Sequence, residues 1–216
     1  MGQTTPKQYL NLLNKPIIQH TLERLAASQI KGIAVCISSV DAYWDQLNIE
    51  LPIPLYKVEG GQERCHSVLN GLKALETYAN PDDWVLVHDA ARPCVRLADI
   101  QKLMTSLAHH PIGGLLALPV RDTMKRADNH NYVASTVSRE GLWHALTPQM
   151  FRLGMLQDAL QFMLDQQQHV TDDAQAIEKI GHCPVLVEGH ADNIKITHPQ
   201  DLTLAELYLQ EQIACT

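Results

Sequence analysis

The stretch WVLVHDAARP, Trp84 to Pro93, decides the fold. Its first four residues, Trp84 to Val87, follow the turn residues Asn80-Pro81-Asp82 and form a strand-sized run that is apolar on both faces. Such a strand belongs inside a parallel sheet covered on both sides by helices. The run stops at His88-Asp89, passes two alanines and reaches Arg92-Pro93. Ligands in open parallel sheets bind beyond the carboxyl ends of the strands, so the same segment is the first candidate for a site. Asp89 suits a divalent ion or a sugar hydroxyl, the small Ala90 lets a ligand approach the backbone, and Arg92 suits either Asp89 or a phosphate. On residue types alone a second reading stays open, in which Asp89 caps the next turn and forms a local salt bridge.

Working outward, further strand-like runs are GIAVCIS (Gly32 to Ser38), Gly114 to Val120, VLVEG (Val185 to Gly189) and NIKIT (Asn193 to Thr197). Apolar residues at helical spacing lie between them. Val68, Leu69, Leu72 and Leu75 form one set, Ile100, Leu103, Met104 and Leu107 another, and Met155, Leu156, Ala159, Leu160 and Met163 a third. A last helix begins near Thr197-His198-Pro199, with Thr197 as its cap. Strands alternating with helices predict an α/β fold with a doubly wound, mostly parallel sheet. With no repeat, linker or low-complexity tract, residues 1–216 read as one domain. From Arg121 to Glu140 the chain is polar and basic around the turn-prone Asp128-Asn129-His130-Asn131, which predicts a β-hairpin arm over about residues 119–141. An isolated hairpin is marginal in water, so a second copy of the chain is the expected partner for it.

The 216 residues carry 17 basic and 24 acidic side chains, a formal charge of −7 that argues against non-specific nucleic-acid binding. No apolar run is long enough to span a bilayer, and MGQTTPKQYL has neither the basic nor the apolar region of a secretory signal. The expectation is a cytoplasmic chain. Five scattered cysteines form no CxxC pair, and the 11 histidines form no HxxxH pair, so neither a structural zinc nor a disulfide framework is expected.

Other candidates are weaker when taken singly. In GGQERCHSV (Gly60 to Val68) two glycines lead into a helix whose free N–H groups suit a polar or anionic ligand; an ordinary strand-to-helix turn has the same look. Arg121, Lys125, Arg126 and Arg139 suit phosphate oxygens, or simply a solvated face. Lys195 sits in an otherwise apolar run with Asp192 near enough to help position it, or guards a sheet edge.

Together, PKQYL, GGQERCHSVLNGL, WVLVHDAARPCV, PVRDTMKR, REGLWHALTPQMF, TDDAQAIEKIG and VEGHADNIKITHPQDLTLAE resemble, in order and over nearly the whole chain, the 2-C-methyl-D-erythritol 4-phosphate cytidylyltransferase family. The resemblance implies a Rossmann-like homodimeric nucleotidyltransferase of isoprenoid biosynthesis. Its members join CTP and 2-C-methyl-D-erythritol 4-phosphate with Mg²⁺, giving the CDP-alcohol and pyrophosphate, and the arm embraces the partner. It implies that Lys7 stabilises charge on the α-phosphate and that Gly61, Gln62 and Ser67 read cytosine and ribose, although the family commonly has an acidic residue where Gln62 stands. Asp89, Ala90 and Arg92 match positions lining substrate and nucleotide, with Asp89 the one candidate metal ligand. Thr123 and Arg139, from the partner's arm, match the grip on the substrate phosphate. Thr147 and Lys195 complete the site, Arg139 and Lys195 acting as the catalytic positioning pair.

The family opens with a central strand and a glycine-rich loop, roughly PAAGxGxRM, ahead of PKQYL. Met1 stands where that loop would be ending. The expectation is therefore a cellular protein longer by roughly 20 residues, and poor activity in a chain without the loop. Two alternatives are a ribitol-5-phosphate-type cytidylyltransferase and a non-catalytic chain that only dimerises.

Overall fold

A computed structural model describes residues 5–214. Cys215 and residues 1–4, where the reading of the N-terminal stretch begins, lie outside the described residues. Lys7–Tyr9 forms a 3-10 turn, followed by the short strands β1 (Asn11–Leu12) and β2 (Lys15–Pro16) and helix α1 (Ile17–Ala26). Strands β3 (Ile33–Ile37) and β4 (Leu55–Glu59) precede helix α2 (Arg64–Leu75), strand β5 (Trp84–Val87) and helix α3 (Leu97–Leu107). Next come β6 (Gly113–Pro119), β7 (Met124–Ala127), β8 (Val133–Val137) and β9 (Trp143–Arg152). Helices α4 (Leu153–Asp165) and α5 (Asp173–Lys179), strand β10 (Val185–Glu188) and helix α6 (Pro199–Ala214) end the described chain.

The α/β class holds, and the sheet is mixed. Its order is β10-β6-β9-β5, with β10 parallel to β6 and β9 antiparallel to both β6 and β5. The reversal follows from the arm: the chain leaves β6, turns through β7 and β8 and re-enters directly, without the crossover that a parallel pairing needs. Strands β3 and β4 pair in parallel as a separate two-stranded sheet.

Alternation along the strands builds two cores. On β6, Leu116 enters a cluster with Ile100, Leu103 and Leu107 of α3, while its neighbour Leu115 enters another with Leu156, Leu160 and Met163 of α4. Met150 and Phe151 of β9 divide in the same way. The sheet is thus covered on both faces, which is why the apolar runs were continuous. At the start of β6, Gly113 has φ +122°, and a Cβ there would strike the Met150 carbonyl oxygen and the Phe151 ring.

Two expected features differ. NIKIT is not a strand: one backbone bond, Ile196 N–H to the Ala91 carbonyl at 2.9 Å, ties it to the segment after β5. Helix α6 does begin at Pro199, but the Asp201 carboxylate, not Thr197, accepts the backbone N–H groups of Thr197 and His198, at 2.8 and 2.7 Å. The arm is present as expected, β7 and β8 forming an antiparallel ladder of exposed residues, with only Val137 half-buried. Among the described residues no helix is long and apolar enough to cross a membrane.

Candidate active site

Strand β5 ends at Val87 and delivers His88 and Asp89 to the edge of the core. Three cationic side chains converge on the Asp89 carboxylate. Lys195 Nζ lies 3.1 Å and Arg92 Nε 3.2 Å from Oδ2, and Arg64 Nε lies 3.5 Å from Oδ1. Burial opposes ionisation of Asp89, but Lys195 and Arg64 outweigh it and hold its carboxyl down at about 2. Lys7, in the first 3-10 turn, lies in the same field. Its ammonium pKa is lowered, first by burial and then by repulsion from Lys195.

The backbone behind Asp89 is fixed by a partly buried relay. His88 Nε2 lies 3.1 Å from the Arg92 carbonyl, which can only accept, so Nε2 carries the proton. Nδ1 is then the acceptor for the Thr147 hydroxyl at 2.9 Å, and Thr147 Oγ1 in turn accepts the Asp89 N–H at 3.1 Å. Burial pushes the His88 imidazole down to about 4, so it is neutral. Asn193 closes the frame, donating from Nδ2 to the Thr147 carbonyl at 2.8 Å and accepting from Arg92 Nη1 on its own carbonyl at 2.7 Å. This is why the NIKIT segment runs irregularly: its polar groups serve the site, and they bring Lys195 to Asp89.

The glycine turn joins the site through Arg64. Gly61 donates its N–H to Ser67 Oγ at 2.9 Å, closing the turn at the start of α2. Arg64, in the first turn of that helix, also grips the fully buried Asp173 at 3.1 and 2.6 Å through two parallel bonds. Gln62 and Ala90 are exposed beside these segments, and the Ala90 carbonyl accepts the Thr21 hydroxyl at 2.9 Å.

Lys7, Asp89, Arg92, Thr147 and Lys195 therefore come together, and Arg64 links Gly61 and Ser67 to them. Thr123 and Arg139 do not join: both are exposed on the arm, and Arg139 Nη1 donates to the Arg121 carbonyl. Asp192 does not position Lys195; it holds Arg96 at 2.7 Å and Gln212 at 2.8 Å. The reading of Asp89 as a metal ligand does not fit either, because both its oxygens already face cationic side chains. Sequence reasoning assigned no role to Arg64, Asp173, His88 or Asn193. A buried Asp at the start of α5 had a local signal, Asp172 as helix cap, but nothing pointed to its partner 109 positions away.

Residues 1–211 match the family model described as IspD: 2-C-methyl-D-erythritol 4-phosphate cytidylyltransferase. The cytidylyltransferase of that name from Hahella chejuensis is 49% identical over 211 residues, 97% of this chain and 88% of the relative. The one from Vibrio parahaemolyticus is 50% identical over 213 residues, 98% of this chain and 91% of the relative. Among solved structures, a 4-diphosphocytidyl-2C-methyl-D-erythritol synthase superposes with TM-score 0.85 at 37% identity, over 94% of this chain and 95% of that one. The Francisella tularensis cytidylyltransferase gives 0.83 at 36% identity, over 94% and 93%.

Proposed function

The chain belongs to the 2-C-methyl-D-erythritol 4-phosphate cytidylyltransferase family, and we propose that the cationic cluster around Asp89 is where it carries out that family's reaction. The activity is that of a nucleotidyltransferase of isoprenoid biosynthesis, joining CTP and 2-C-methyl-D-erythritol 4-phosphate. An acceptor phosphate oxygen bonds to the α-phosphorus of CTP, the bond to the bridging oxygen breaks, and pyrophosphate leaves with the electron pair. Negative charge crowds the reacting centre, so catalysis requires in-line positioning and fixed cations.

Lys7 and Lys195 supply the cations, and Asp89 holds Lys195 and Arg92 in place. Gly61, Gln62, Ser67 and Ala90 line the nucleotide, and Thr147 keeps the Asp89 backbone in register. Mg²⁺ would be held chiefly by oxygens of the nucleotide's own phosphates. The arm, about residues 119–141, is the dimerisation element of a single domain acting in the cytoplasm, and a second copy's Arg139 and Thr123 grip the substrate phosphate. Neither nucleic acid nor a membrane has a part in the reaction.

The observation that carries this reading is the meeting of Lys195, Arg92 and Arg64 on one largely buried carboxylate at the carboxyl end of β5. Pyrophosphate release with Mg²⁺ tests it. Release should require both CTP and 2-C-methyl-D-erythritol 4-phosphate, with ribitol 5-phosphate a poor substitute. Lys195→Ala should lower kcat by about 10²–10³-fold, in a chain that stays folded because this side chain is 42% exposed. Preference for ribitol 5-phosphate, or a folded Lys195→Ala that turns over as fast as the unaltered chain, refutes the reading.

A further inference from the structure

We propose that Glu63, Cys65 and His66 form a binding site for a divalent metal of the zinc class, with His169 orienting the Glu63 carboxylate. These residues have no place in the chemistry above, yet their donor atoms converge. Cys65 Sγ lies 3.9 Å from Glu63 Oε2 and 3.7 Å from His66 Nδ1, and one donor atom from each of the three residues lies within 4.8 Å of the others. A tetrahedral zinc ion, with bonds of about 2.3 Å to sulfur and 2.0–2.1 Å to nitrogen or oxygen, separates its ligands by roughly 3.3–3.6 Å. The two distances from sulfur are therefore within a few tenths of an ångström of the bound spacing, and the carboxylate and imidazole donors lie within 4.8 Å of each other.

The local fold explains the convergence. Glu63 is the extended N-cap of α2, with φ −124° and ψ 170°, so its side chain can fold back over the first turn where Cys65 and His66 lie. A second, distant segment fixes that carboxylate: His169, between α4 and α5, places Nδ1 2.8 Å from Glu63 Oε2. Hydrogen bonding of a ligating carboxylate by an outer side chain is a recurrent feature of metal sites. Cys65 is 5% exposed, whereas Glu63 is open to solvent and His66 half-buried. The metal would thus enter from the solvent side onto a sheltered sulfur, leaving a fourth position for water.

The donor set chooses the metal. One thiolate and one imidazole beside a single carboxylate suit Zn²⁺ or Co²⁺, whereas Mg²⁺ and Ca²⁺ require hard oxygen ligands. Gly61 and Ser67 flank the site. Occupancy would therefore stiffen the turn assigned to the nucleotide, although metal binding itself does not depend on that assignment.

Titration of the full chain with Co²⁺ tests the site without using CTP. One Co²⁺ per chain should bind and produce a near-ultraviolet thiolate-to-cobalt charge-transfer band that Zn²⁺ abolishes and excess Mg²⁺ leaves alone. The band should survive Cys183→Ser, which alters the exposed thiol, and vanish in Cys65→Ala. His169→Ala should weaken binding by about 10–100-fold. If Cys65→Ala does not fold, His66→Ala provides the same test, with at least about tenfold weaker binding expected. Absence of the band in the unaltered chain, its persistence in Cys65→Ala, or unchanged affinity in a folded His66→Ala overturns the proposal.

Discussion

Arg64 serves two carboxylates, Asp89 at the strand end and the fully buried Asp173, and each depends on it differently. Burial raises the Asp173 pKa, with Arg64 the main opposing influence. Arg64→Met would strand a buried charge and should cost about 3–5 kcal/mol in urea unfolding. Adding Asp173→Leu should recover much of that loss, because the pair removed together leaves no orphan. His88 sets a pH limit. Its folded-state pKa is about 4 and its unfolded value about 6.5, so between these values the unfolded chain binds a proton that the native chain refuses. Its contribution is complete above about pH 6.5 and is lost as pH falls toward 4, on the order of 3 kcal/mol in all. Asp89 responds lower, between its usual carboxylate value and about 2. Urea midpoints at pH 7.5 and 5 should therefore differ markedly in the unaltered chain and much less in His88→Gln; an equal difference in both would show that His88 is not the cause. Asp89, Arg92 and Lys195 were legible in the sequence, because a strand end and a lone lysine in an apolar run are local signals. The His88 relay was not, since Thr147 lies 59 positions from it and a histidine in a relay looks like any other in a sequence.

At the scale of elements, the arm is where local pattern and tertiary demand agree least. Its strands stand clear of both cores, and Tyr132 and Val133 are 72% and 65% exposed. A two-stranded hairpin presenting such residues lacks a packing surface of its own. If a second copy covers it, Tyr132→Asp with Val133→Asp should convert dimer to monomer by sedimentation while changing the stability of the remainder by no more than about 0.5 kcal/mol. A double variant that stays dimeric would remove the arm from the interface. At Gly113, by contrast, the backbone decides: alanine at φ +122° against the Met150 carbonyl should cost at least about 1–3 kcal/mol in urea unfolding. The helices over Leu97–Leu107 and Leu153–Asp165 followed from periodicity, and the strand over Trp84–Val87 from its continuous apolar run after a turn. Strand β9 did not, because its ten residues read WHALTPQMFR, in which the exposed His144 and the buried Thr147 and Gln149, the last two bonded to the site and to neighbouring segments, break any alternation. The strand expected at NIKIT failed for a related reason, its polar atoms being engaged by Thr147 and Arg92 rather than by a ladder.

Across the whole molecule the hydrogen-bonded network and the hydrophobic one do not coincide. Among the described residues strand β3 pairs only with β4, and β5 only with β9. Yet Ile33, Val35 and Ile37 of β3 share one apolar cluster with Met150, Leu116 and the flanking Trp84 and Leu86 of β5. The two sheets are joined by side chains while each keeps a backbone edge without a ladder partner among the described residues. On such an edge every second amide points away from its only neighbour. Strand β6 is different, flanked by β10 on one side and β9 on the other. Burial of apolar side chains resists global unfolding, but an amide is protected only while it has a partner or is kept from water. Native-state hydrogen exchange should therefore show continuous strong protection along β6. In Ile33–Ile37 and Trp84–Val87 the pattern should alternate, the amides facing the unpaired edges exchanging well below the global opening energy. Equal protection at every position of β3 and β5 would mean that those edges are covered in solution. The site lies at the end of β5, so the same experiment measures how firmly the strand that carries Asp89 is held.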